Sequence, residues 1–308
     1  MSAPSESRVL CAGECMVELA HADAATLRLG FAGDTYNAAV YLRRVATELG
    51  HATEVGYLTG LGEDHYSAQM RAAWAREGVT DRSLTVPGRL PGLYTIRTDP
   101  DGERQFTYWR GESAARALFA DPETWARLDG DLVHLSGITL QLTTGASRAA
   151  LVARLGELRD AGARVSFDTN YRPAGWPSAE AAAAAFGELA AMADIVLTGR
   201  EDEALLHGEA PVEEMLARRA GAGEVVLRDG AAGAHVAAGG EVVHVPARRV
   251  DRVVDTTAAG DAFSGAYLAA RLAGRPPADA AALAGGVAAV VIAHPGAIAP
   301  RDARLLES

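Results

Sequence analysis

No lysine occurs anywhere in the chain: all 29 basic residues are arginine, set against 40 acidic ones. A P-loop of the Walker type needs a lysine at the terminal phosphates, and a pyridoxal Schiff base or a lysine-dependent aldolase needs the amine itself. All three classes are excluded. Any phosphate chemistry must rest on backbone N–H groups, arginine and metal. Cysteine is nearly as scarce. Cys11 and Cys15 fall in one strand-like segment with no further cysteine and no histidine cluster, so neither a disulfide framework nor a zinc site is expected, and both thiols read as structural. Clusters of basic residues are missing too, and the net charge of −11 argues against nucleic acid or an anionic membrane as partner. An anionic ligand would need a few local arginines to outweigh that field. The longest apolar-rich stretch, Ala278 to Ala293, is shorter than a membrane span and carries two glycines. With no secretory signal ahead of the first strand, the chain is expected to be cytoplasmic.

What is present is a large apolar content. At 308 residues and 49% hydrophobic, the chain can bury a substantial core, and nothing marks a linker between halves, so one domain spanning 1–308 is expected. Arg8 to Leu19 reads as a first strand. Gly33-Asp34-Thr35-Tyr36-Asn37 then opens a helix to about Leu49, with Asp34 a candidate N-cap. Val55–Leu61 leads into a helix at Tyr66–Arg76, Leu132–Leu135 precedes one from about Ser147 to Asp160, and Val165–Asp168, Ile195–Leu197 and Glu224–Arg228 are buried-type strands. This βα rhythm predicts an α/β three-layer sandwich, its central sheet mostly parallel, with ligands at the carboxyl ends of the strands.

One segment breaks the rhythm. Gly92–Thr98 and Arg104–Arg110 flank an Asp99-Pro100-Asp101-Gly102 turn and predict a hairpin. Period-two alternation sets Arg104, Phe106, Tyr108 and Arg110 on one face and Gln105, Thr107 and Trp109 on the other. An aromatic-plus-arginine face suggests a small β lid over a ligand, or an aromatic surface that pairs subunits. Lid strands are expected within about 14–32 and 88–112. Toward the C-terminus, Val254-Asp255-Thr256-Thr257-Ala258-Ala259-Gly260-Asp261-Ala262-Phe263-Ser264-Gly265-Ala266 puts small residues and an acid where a loop becomes a helix. Such a turn aims free N–H groups at an anion, with Asp261 in the first helical turn able to hold a hydroxyl in line with a phosphoryl group. The lesser alternative, for the run taken alone, is a small-residue start to a buried helix.

Taken together, Gly13–Leu19, Gly33–Asn37, Leu90–Tyr94, Gly102–Arg110, Phe167–Pro173 and Asp255–Asp261 resemble, in order and over nearly the whole length, the ribokinase-like (PfkB) family of carbohydrate kinases. The Tyr108-Trp109-Arg110 and Asn170-Tyr171-Arg172 elements resemble its sugar-acid branch. The resemblance implies ATP-dependent phosphorylation of 2-keto-3-deoxy-D-gluconate on its 6-hydroxyl, with Mg²⁺, and association of copies through the lid. It implies that Gly33, Asp34 and Asn37 bind sugar hydroxyls, that Tyr94, Tyr108 and Arg110 close over the substrate, and that Arg110 and Arg172 meet its carboxylate, a group guanidinium forks bind in pairs of bonds. Asn170, Arg172, Arg228, Gly230 and Gly233 resemble the nucleotide loops, the amides of Ala258, Ala259 and Gly260 the anion hole, and Asp261 the catalytic acid–base group. An ordinary aspartate, with a pKa of about 3.9, would orient the hydroxyl first and take its proton late. Three departures stand out. Ala258 occupies a position usually held by glycine, where a left-handed backbone would cost about 1 kcal/mol. Thr198-Gly199-Arg200-Glu201 replaces the family's Asn-x-x-Glu, leaving Glu201 for a water-mediated metal contact. Asp229 follows Arg228 where a second basic residue is common. The alternatives are a kinase for a neutral sugar such as fructose, which would not need two arginines beside the sugar, and a non-catalytic sugar-acid sensor, which would not need Asp261. A nicotinamide dehydrogenase is disfavoured because no G-x-G-x-x-G follows the first strand.

Overall fold

The computed structural model describes residues 6–23, 25–98 and 104–306. Short runs of valine, leucine and isoleucine bounded by turns become strands, those in the middle of the sheet buried on both faces and the edge strands open to water. Among the described residues nine of them form one sheet, in the order β15 (Glu241–Val245), β14 (Ala234–Ala238), β13 (Glu224–Arg228), β12 (Ile195–Gly199), β11 (Arg164–Asp168), β10 (Leu132–Ser136), β1 (Ser7–Ala12), β4 (Thr53–Leu58) and β6 (Thr80–Asp81). Pairing is parallel from β13 to β6, and β14 is antiparallel to both neighbours. Two short strands, β5 (Gly60–Leu61) and β7 (Leu84–Thr85), pair separately.

Alternation along the strands builds a core on each face. Val9 and Cys11 of β1 pack with α1 (Asp34–Glu48), α2 (His65–Glu77), α9 (Ala259–Leu272) and α10 (Pro277–Val291). Leu10 and Ala12 turn the other way, onto α3 (Ala114–Phe119), α4 (Gly137–Gln141), α5 (Gly145–Asp160), α6 (Ala179–Met192) and α7 (Arg200–His207). The short α8 (Val212–Ala217) closes a smaller cluster beside β13. Helix, sheet and helix make the three-layer α/β sandwich that the βα rhythm predicts. Its helices start where side-chain oxygens cap them: Asp64, Ser113, Thr144 and Ser178 each accept a first-turn N–H. No helix among the described residues is long and apolar enough to cross a membrane. Both cysteines are buried and free, and burial pushes the Cys11 thiol up to about 12, which keeps it inert at neutral pH.

The second sheet holds four strands among the described residues, ordered β3 (Leu27–Ala32), β2 (Met16–His21), β8 (Leu93–Thr98) and β9 (Arg104–Trp109). Here the reading of Arg8–Leu19 as one strand is corrected. The chain leaves the central sheet at Ala12, and after Gly13–Cys15 it enters the second sheet at Met16. Gly13 packs so closely on the Thr35 hydroxyl that a Cβ would collide with it, so the crossing needs glycine by proximity. Val55–Leu61 likewise divides into β4 and β5. The turn expected at Asp99–Gly102 lies outside the described residues. Met16, Ala32, Tyr94 and Ile96 of the second sheet pack toward Ala258, Ala297 and Ile298, so one face of it covers the start of α9.

Candidate active site

The site is set by how closely α1 and α9 approach. A Cβ on Gly265 would collide with the Ala38 carbonyl and lie 2.9 Å from the Leu42 amide, so only glycine lets the two backbones touch. One turn before Gly265 stands Asp261, and one residue before Ala38 stands Asn37. The contact therefore seats the Asn37 amide on the Asp261 carboxylate, with Nδ2 donating to Oδ2 at 2.8 Å. Asp34, on the same face of α1, accepts from Asn170 Nδ2 at 2.9 Å and from the Thr35 amide at 2.8 Å. Two carboxylates thus meet, each steadied by one asparagine amide. Asp34 is not the cap of α1: Gly33 holds that position, its missing side chain replaced by the Glu14 carbonyl, while Asp34 is the first helical residue and is turned to the cluster.

Electrostatics corrects the expectation for Asp261. Desolvation and the facing Asp34 carboxylate raise its pKa to about 7, against the opposing pull of the Asn37 bond. Near neutral pH the group is therefore poised to take a proton, which an ordinary aspartate is not.

Beside it, α9 begins on Ala258 in the left-handed conformation (φ 61°), the strained backbone that the sequence reading anticipated. The N–H groups of Ala258, Ala259, Gly260 and Asp261 lie at the helix start, where few preceding carbonyls can accept them; Ala259 donates to Thr256 O at 3.3 Å. These amides lie where the helix dipole favours an anion. Asn170 is the other non-glycine residue with positive φ among those described, at 31°. Both strained residues border the same cleft.

Arg228 lies beneath this loop. Its Nη1 and Nη2 donate to the two Asp168 oxygens at 2.8 and 2.7 Å, and Nη1 also reaches Gly260 O and Ser264 Oγ. Burial would raise the Asp168 carboxyl and lower the guanidinium pKa, but the pair reverses both, keeping Asp168 below the usual carboxylate range and Arg228 above its own. This guanidinium clamps the end of β11 to the start of α9. Gly230 and Gly233 form a turn at the end of β13, both with positive φ. Asp229 pairs with Arg200 at 3.1 Å, at the turn's base.

On α7 the structure separates two neighbouring acids. Glu201 is exposed, whereas Asp202 is largely withdrawn from water, beside Thr169 Oγ1 at 3.3 Å and Arg172 at 3.6 Å. Burial raises the Asp202 pKa despite Arg228 and Arg172. Asp202, which the sequence did not single out, is the one of these two acids that turns inward.

The lid residues also meet partners that the sequence did not disclose. Tyr94 is buried and its hydroxyl donates to Glu18 at 2.5 Å, so it braces the lid's inner face instead of offering a free hydroxyl. Tyr108 is 50% exposed and packs its ring against Tyr94 at 5.7 Å. Burial raises the Tyr108 pKa, and the positive charges of Arg110 and Arg172 oppose it. Arg172 is 56% exposed, with its Nη1 on the Tyr171 carbonyl. Arg110 is paired with Glu14 at 2.5 Å.

A large, mostly parallel α/β sandwich with a β lid, and an acid at a helix start that the lid covers, mark a carbohydrate-kinase architecture. The pattern of the pfkB family carbohydrate kinases matches residues 6–304, and the chain belongs to that family. It is 44% identical over 301 residues to the 2-dehydro-3-deoxygluconokinase of Dickeya dadantii, covering 94% of this chain and 96% of that one. It is 43% identical to the Escherichia coli K12 protein of the same name, covering 96% and 98%. The structure of 2-dehydro-3-deoxygluconokinase from Thermotoga maritima superposes with a TM-score of 0.83 at 21% identity, over 96% of this chain and 95% of that one.

Proposed function

We propose that the chain transfers the γ-phosphoryl group of ATP to the 6-hydroxyl of 2-keto-3-deoxy-D-gluconate, giving the 6-phosphate. The observation that carries this reading is the Asp261 carboxylate: it stands at the start of α9, beside the anion hole, with its pKa raised to about 7. Phosphoryl transfer asks mainly for in-line positioning and charge stabilisation. The amides of Ala258 to Asp261 supply the second, and Asp34 and Asn37 hold sugar hydroxyls for the first. Asp261 takes the hydroxyl proton as the O–P bond forms. Arg110 and Arg172 meet the substrate carboxylate, a demand that a neutral ketose does not make.

Mg²⁺, when bound, would offset the charge developing on the transferred phosphoryl group. It takes one or two carboxylates besides phosphate and water, and Asp202 would hold it from α7, where the deeper Glu203 is already taken by Arg219. On the lid's outer face Leu27, Leu29 and Trp109 are 42%, 47% and 59% exposed, which supports association of two copies through this sheet. Its need for ATP places the reaction in the cytoplasm.

A coupled assay of ADP formation across 2-keto-3-deoxy acids and neutral ketoses tests the reading. The account expects the gluconate-derived acid to exceed fructose by at least about tenfold in kcat/KM, one charged hydrogen bond being worth that much. Equal rates on both would favour a neutral-sugar kinase, and no ADP with any of them a sensor.

A further inference from the structure

The strip between the central sheet and the lid holds a charge that the functional reading leaves unused. Glu14 lies in the three-residue crossing from β1 to β2, is 1% exposed, and neither carboxylate oxygen has a hydrogen-bond partner among the described residues. Its ion-pair contact is Arg110, whose Nη2 sits 2.5 Å from Oε2. The Nε and Nη2 of Arg110 are buried without hydrogen bonds as well. Gly92, just ahead of β8, makes room for the pair: a Cβ there would lie 2.8 Å from Glu14 Oε1 and 3.1 Å from Arg110 Cβ. Three chain crossings between body and lid therefore close around one buried anion and one lid cation.

We propose that Glu14 is a positioning residue for Arg110: it tethers the guanidinium over the sugar-acid pocket and thereby sets the preference for acid over neutral sugars. The proposal rests on the functional reading above. A carboxylate this deeply desolvated is tolerated only when paired. Arginine, in turn, is long and rich in rotamers, and without an anchor the cost of ordering it would fall on substrate binding. Glu14 meets that cost before the substrate arrives, at the lid's base.

The test is Glu14→Gln, which keeps the shape and removes the charge. With 2-keto-3-deoxygluconate the KM is expected to rise roughly tenfold while kcat stays within about twofold, and kcat/KM for fructose and the KM for ATP stay level. In an Arg110→Met background the same change should have no further effect on KM. An unchanged KM, an equal loss on fructose, or an undiminished loss in the Arg110→Met background would each overturn the proposal. If Glu14→Gln does not fold alone, thermal midpoints decide: Arg110→Met strands a buried anion, so the double variant must be more stable than Arg110→Met, and a double no more stable overturns the pairing. Wild-type enzyme inactive on the acid would overturn the functional reading itself, whereas an active wild type with an indifferent Glu14→Gln overturns only this proposal.

Discussion

The floor of the cleft and its lid are built on opposite principles. On the floor, between α1 and α9, polar groups satisfy one another: Asn37 holds Asp261, Asn170 holds Asp34, and Arg228 locks Asp168 to Gly260 and Ser264. In the lid, apolar and aromatic surface stays open to water, with Phe106, Tyr108 and Trp109 43%, 50% and 59% exposed. A preorganised, desolvated floor suits chemistry, because its charges need not rearrange during the reaction. An incompletely buried lid suits selection, because its surface is completed by what binds beneath it.

The largest expected effect breaks the floor. Asp261→Asn keeps the shape but cannot accept a proton, so kcat is expected to fall on the order of 10² or more with little change in ATP affinity. Near-normal turnover in a folded variant would remove the assigned role. The wild-type kcat/KM should rise with pH and level off above about 7, as the carboxylate ionises. Stability should run the other way. The folded state binds the Asp261 proton more tightly than the unfolded chain, so that contribution is full below the unfolded value of about 4 and is lost as pH rises through about 7. Asp261→Asn should therefore unfold at a higher temperature than wild type at pH 8, by roughly 2 °C per kcal/mol regained, and gain little at pH 4.

The next effect breaks the lid. Arg110→Met retains much of the stem's bulk and should lower kcat/KM for the keto-deoxy acid by about 10- to 150-fold, the worth of a charged hydrogen bond. The rate on a neutral ketose should hold level or improve slightly. Equal losses on both substrates would give Arg110 an architectural role instead. Smaller again is Gly265→Ala: the added methyl meets the backbone of α1, moves Asp261 off Asn37, and should cost about tenfold in kcat, as misplacements of an ångström or less do. Unchanged kinetics there would detach the helix contact from catalysis. The gentlest probe sharpens the contrast without mutation. Hydrogen exchange over residues 94–98 and 104–110 should slow on adding the sugar acid, while α1 and α9 change little. Exchange that is the same with and without substrate would make the lid a fixed surface.

Sequence carried the architecture because hydrophobic alternation is local: β13 was bounded to the residue, and the lid strands were visible as the one interruption of a βα rhythm. It also carried the Asp261 loop, whose small residues and acid have few other physical uses. What it missed are pairings between residues far apart in the chain. Glu14 with Arg110, Glu18 with Tyr94, and Asp168 with Arg228 each join two motifs that were read separately, so the partners of Arg110, Tyr94 and Arg228 stayed out of sight. The raised pKa of Asp261 was hidden for the same reason, since it depends on burial and on Asp34, more than 200 positions away. Asp202 went unnoticed because a motif gives spacing, whereas helix phase decides which acid turns inward.

The division of labour between floor and lid is tested most directly by measuring kcat and KM separately for Asp261→Asn and Arg110→Met on 2-keto-3-deoxygluconate. The account predicts opposite signatures: the floor variant loses kcat on the order of 10² with KM nearly kept, and the lid variant loses its efficiency mainly through KM. If both variants lose kcat and KM in the same proportion, chemistry and selection are not separated between the two regions, and the central claim is contradicted.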